Sequence, residues 1–101
     1  MTKEHEEGIF HEKMIAIMTR MDRNMRAAPM NGNSDHDFAA MMIPHHQGAI
    51  DMAQEELLYG KDPVLRRLAQ EIIVTQQSEI ELMSRQLAKM QSNSTPTKTN
   101  P

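Results

Sequence analysis

The 101-residue sequence predicts an all-α fold of three helices joined by short connectors, and three observations carry that reading. Every apolar stretch recurs at three- and four-residue spacing, the period of a helix buried on one side. Val occurs only at positions 64 and 74, so little favours a strand. Pro29 with Gly32, and Gly60 with Pro63, mark two breaks in the pattern.

The first helix is expected from about Lys3 to Ala27, with Gly8 a weak spot near its start. It ends before Pro29, whose ring disfavours a helical conformation at Ala28. Pro29-Met30-Asn31-Gly32-Asn33 then has the composition of a turn. Ser34 is the expected N-cap of the second helix, with Asp37 three residues on in a capping-box-like pair. That helix should start near Asp35 and run to about Tyr59, where Gly60 stops it. Pro44 falls inside it, removes an amide donor and is expected to kink it. The third helix has Asp62 as N-cap and Pro63 at its first position, then an unbroken pattern to about Gln91. One domain, residues 3–91, follows: an up-down-up three-helix bundle with a long kinked second helix and a long third one. The polar tail 92–101 is expected to be disordered.

Composition narrows the function. A net charge of -3 and a pI near 5.9 argue against nucleic acid as a partner, which needs a clustered basic surface. With no Cys, disulfides, thiolate metal sites and thiol catalysis are excluded. No apolar run reaches the roughly 18 to 20 residues of a membrane span, and MTKEHEEGIF does not read as a signal peptide. Against these absences stand 11 Met, set beside 2 Phe, 1 Tyr and no Trp, together with 5 His. Thioether sulfur and imidazole nitrogen are the donors this chain offers a soft metal ion.

Their placement is periodic. On the first helix His11, Met14, Met18, Met21 and Met25 fall within roughly 80° of arc at about 100° per residue. Such a stripe is usually core, yet this helix has no Leu, the residue that would specify packing better. On the second helix Met41, His45, Gly48 and Met52 share one face, and Met42 and His46 share another about 100° away. Each Met-His pair at four-residue spacing offers one sulfur and one nitrogen. On the third helix the apolar stripe is interrupted by Gln76 and Glu79, with Met83 one turn further. A carboxylate on a buried face needs a partner, and His45 or His46 is the candidate. Glu79 would then accept the second ring N–H of a metal-ligating His, with Gln76 and Met83 supporting the ligands around it.

Enzymatic readings fare worse. A di-iron site of the four-helix oxidases wants Glu three residues before His, and Thr2, Gly8, Asn33, Met42 and Ile43 hold those places. No Gly-rich phosphate loop or Ser-His-Asp grouping stands out, so a non-enzyme without an organic cofactor is expected.

The block from Asp37 to Ala53, containing Met-Met-Ile-Pro-His-His-Gln, together with Gln76-x-x-Glu79-Ile80-x-x-Met83, closely resembles a domain family of formally unknown function that includes CopM-like copper-binding proteins. The resemblance runs from about Met14 to Leu87 and departs at Gln86, where many relatives carry Trp. It implies a ferritin-like helical bundle that binds copper, or silver, through Met and His in bacterial metal resistance. Met41, Met42, His45, His46 and Met52 would form its site, with His11 and the first-helix Met residues contributing. It also implies export to the periplasm or cell surface; a full-length chain without a leader would be cytoplasmic.

The resulting expectation is Cu(I) binding for sequestration or transfer to a partner protein. A thin core also points to a homodimer, in which the first-helix Met stripe faces its own copy. The rival reading is a helical interaction module whose Met-rich face docks partner helices.

Overall fold

The computed structural model describes residues 2–93 and consists of α1 (Lys3–Arg26), α2 (Ser34–Tyr59) and α3 (Pro63–Asn93), with no strand among the described residues. Thr2 caps α1, its hydroxyl accepting the His5 N–H at 3.1 Å. At the other end Ala27 closes the helix by donating to the Arg23 carbonyl.

The N-cap of α2 is Asn33 and not Ser34, which is the first helical residue. Asn33 Oδ1 accepts the His36 N–H at 3.0 Å. Asp37 forms no capping box because its carboxylate is committed elsewhere: it accepts the N–H groups of Asn31 at 2.9 Å and Gly32 at 3.1 Å. Gly32 has φ +90°, a conformation that favours glycine, so the connector is folded back on α2 at that residue. His36 Nδ1 lies 2.9 Å from the same carboxylate. The hydrogen bond with His36, followed by that with the Asn31 N–H, holds the Asp37 carboxyl below its usual range.

α2 continues across Pro44 as one helix of 26 residues. Asp62 caps α3 as expected, accepting the Leu65 N–H at 2.9 Å. α3 extends to Asn93, so Ser92 and Asn93 belong to the helix. The remainder of the expected tail, 94–101, lies outside the described residues.

α2 is the middle of the bundle. α1 packs on one side of it and α3 on another, and among the described residues no Cα of α1 comes within 8 Å of a Cα of α3. The buried set is correspondingly small: Ile17 of α1, Ala39, Ala40, Ile50 and Ala53 of α2, and Ala69 of α3. Small residues on α2 and α3 let the helices approach closely, which spreads the limited apolar area of a chain this short over two seams. The α2–α3 turn is pinned by Arg66, whose Nη1 donates to the carbonyls of Leu57 at 2.6 Å and Gly60 at 3.0 Å. No helix among the described residues is long and apolar enough to cross a membrane.

Candidate metal site between α2 and α3

His46 and Glu79 join α2 to α3. His46 is 8% exposed, and its Nε2 lies 2.6 Å from Glu79 Oε1. A carboxylate accepts and does not donate, so Nε2 carries a ring proton, and in the neutral tautomer Nδ1 presents the lone pair. That Nδ1 is buried and has no hydrogen-bond partner. Gln76 Oε1, one turn before Glu79, is likewise buried and unpartnered. A further buried polar atom without a hydrogen bond, Glu55 Oε1, is 3.7 Å from Lys13 Nζ and so has a cation beside it.

The His46–Glu79 pair also ties α2 to α3 at one level. If the two helices run in opposite directions, steps of three and four residues from it would set Ala49 level with Gln76 and Ala53 with Ile72 one way, and Met42 level with Met83 the other. The groove lined by Ala49, Met52, Ala53, Leu68, Ala69 and Ile72 agrees with that register. Met42 and Met83 are both half-buried. In that register the layer next to the His46–Glu79 pair would carry two thioethers.

The other expected ligands are distributed differently. His45 is exposed, its ring centroid 6.1 Å from that of His46 and tilted by 57°. Of the two adjacent imidazoles, His46 is the one that turns inward. Met41 is exposed and Met52 is half-buried in the α2–α3 groove. Met14, Met21 and Met25 are half-buried on α1, with the Met21 side chain lying directly on Gly48, while His11 and Met18 are exposed. Gly48 and His46 are two residues apart, about 200° around the helix, so the α1 stripe and the buried imidazole occupy different faces of α2. The ten Met and His positions do not form one cluster. No group of three His, Asp or Glu side chains suited to a metal ion occurs among the described residues, so a site here depends on sulfur. A depression of about 320 Å³ between the start of α1 and the α2–α3 turn, lined by residues including Glu6, Phe10, Glu56 and Tyr59, has no thioether or imidazole in its lining.

Met83 was placed by the sequence among supporting residues; in that register it would stand level with Met42. The signal was the Glu79 carboxylate on a buried stripe, which becomes a register marker once its partner is known to be His46.

Fold and site together define a small all-helical bundle with imidazole, carboxylate and thioether groups along its central helix. The chain belongs to the family described as "Domain of unknown function (DUF305)", whose model matches residues 1–87. It is similar to "Uncharacterized protein L153" of Acanthamoeba polyphaga mimivirus, at 42% identity over 50 residues, which is 50% of this chain and 33% of the viral protein. The match thus spans about a third of that relative's length.

Proposed function

We propose that this chain binds Cu(I), and Ag(I) by the same chemistry, as cargo between α2 and α3, and sequesters it or hands it to a partner protein without acting as an enzyme. His46 carries the reading: a buried imidazole whose Nε2–H is held by Glu79 and whose Nδ1 lone pair has no partner. Metal-ligating histidines characteristically donate their second ring N–H to a carboxylate, which fixes the tautomer and raises ligand basicity. Met42 and Met83 add soft sulfur donors in the adjoining layer, and a thioether-imidazole set favours Cu(I) over Zn(II). His45, Met41 and Met52 lie further round α2 and would serve entry or transfer. The ferritin-like up-down-up arrangement, a role in metal resistance and a periplasmic or cell-surface location belong to the same proposal, by family resemblance.

The test is an anaerobic Cu(I) titration against a chromophoric chelator, on the intact chain, on His46→Ala, on the pair Met42→Leu/Met83→Leu, and on His5→Ala/His36→Ala as control. Loss of a supporting partner alone weakens a metal site about 10- to 100-fold, so His46→Ala should cost about 100-fold or more, with the control unchanged. Equal affinities for the intact chain and His46→Ala would remove this site. No competition at all by the folded protein would favour the partner-binding module.

A further inference from the structure

The outer side of α1 carries a second apolar seam that the other described residues leave exposed. Gly8, His11, Ile15, Met18 and Met25 follow three- and four-residue steps, with Asp22 completing the row. The row lies about 100° around the helix from Phe10, Met14, Ile17 and Met21, which face α2. Ile15 and Met18 are each 46% exposed. Gly8 and His11 are exposed too, and a Cβ built on Gly8 would meet nothing within 4 Å. Asp22, the charged member, is held by Arg26 at 2.8 Å. α3 lies against α2, and among the described residues none of its Cα atoms comes within 8 Å of one in α1.

Charge along α1 says what fits there. Residues 3–12 hold four Glu and one Lys, whereas residues 13–26 hold Lys13 and three Arg against one Asp. The distribution suits the helix macrodipole, negative near the N-terminus and positive near the C-terminus. It also makes α1 complementary to itself when reversed. We infer that a second copy of this chain docks antiparallel along the outer seam of α1, about a two-fold axis near Ile15 and Met18. In that isologous contact Glu4, Glu7 and Glu12 run alongside the Arg23 and Arg26 end of the second copy, and the apolar row closes on its own equivalent. A parallel pairing would set like charges side by side. The inference goes beyond the metal reading, because no residue of the seam lies between α2 and α3.

Sedimentation of the metal-free full chain over micromolar to millimolar concentration tests it, so the outcome is independent of copper. The native chain has no Cys, so a single introduced thiol reports one contact. A dimer is expected, weakened at least tenfold by Met18→Glu with helical content unchanged. Ile15→Cys should form an interchain disulfide on mild oxidation, and Val74→Cys, on the exposed side of α3, should not. A monomer at every concentration overturns the inference, whatever else occupies the seam. A dimer that Met18→Glu leaves intact, or that Val74→Cys cross-links as readily as Ile15→Cys, overturns it as well.

Discussion

Against α1, the central helix sets Gly48 under the Met21 side chain, Asp51 3.1 Å from Arg20, Glu55 3.7 Å from Lys13, and Tyr59 at the edge of Phe10, with centroids 6.0 Å apart. Against α3 it sets His46 on Glu79 and two alanines in a groove, and the interface holds two buried polar atoms without partners, His46 Nδ1 and Gln76 Oε1. The first interface places charge at its rim and closes its centre with a thioether fitted to a glycine. The second leaves polar groups unsatisfied, at about 1–3 kcal/mol for each group left fully unmade. Polar groups retained at a stability cost mark the place where a sequence is shaped by something besides folding. The contrast points to packing for the α1 thioethers Met14 and Met21, and leaves the proposed ligand role to the His46 layer.

The largest effect should come from breaking the first interface. Gly48→Val drives a branched side chain into Met21, so thermal unfolding followed by circular dichroism should show a loss of about 2–3 kcal/mol. Adding Met21→Ala should return much of it; two strictly additive losses would mean that Met21 and Gly48 are not coupled. Copper affinity should stay within a few-fold, because the His46 layer is on another face.

Glu79→Ala sharpens the contrast from the other side. It should weaken Cu(I) binding about 10- to 100-fold in the chelator competition. Glu79 is half-exposed, with 49% of its side-chain surface accessible, so little stability should be lost with it. An affinity unchanged by this substitution would show that Glu79 does not orient a ligating imidazole.

His46→Leu separates folding from function most directly. Replacing a buried polar partner by an apolar residue of similar volume is often neutral or stabilising, so the unfolding free energy should stay level or rise by up to about 2 kcal/mol while Cu(I) binding is lost. A large destabilisation would show that the His46–Glu79 bond is there to hold α2 on α3.

The smallest effect belongs to the connector, remote from both interfaces. The Asp37 carboxyl is held below its usual value in the folded state, so its contribution is present above the unfolded carboxylate range and fades as pH falls through the folded value. Asp37→Asn should speed amide exchange at Asn31 and Gly32 at neutral pH, by a margin that shrinks as acid protonates the native carboxyl. A difference that persists unchanged in acid would contradict the role of its charge.

Several of these elements were legible from the sequence because their signals are local. The Asp62-Pro63 start of α3 follows from one side chain capping a backbone N–H three residues on, and the α1 stop from Pro29. The N-cap of α2 was misplaced by one residue because Ser34 and Asn33 are both good caps; the choice turned on Asp37, whose carboxylate reaches back to Asn31 and Gly32. Pro44 was expected inside the second helix, and the structure carries α2 across it as one helix of 26 residues. The candidate site was partly legible: a carboxylate on an apolar stripe asked for an imidazole, and one of two adjacent imidazoles answered.

By itself the sequence determined three helices, the cap of the third at Asp62, the supply of soft donors and the periodic stripes that carry them, since each depends on neighbours within a turn or two. Only the tertiary structure decided that His46 turns inward and His45 outward, that Glu79 is the partner of His46, and that α1 and α3 each pack on α2. The physical reason is that helical spacing fixes angles around one axis alone. Which angle meets which neighbour is set by the crossing of helices distant in sequence, here by a glycine that admits α1 at Met21 and by alanines that admit α3 beside the His46–Glu79 bond.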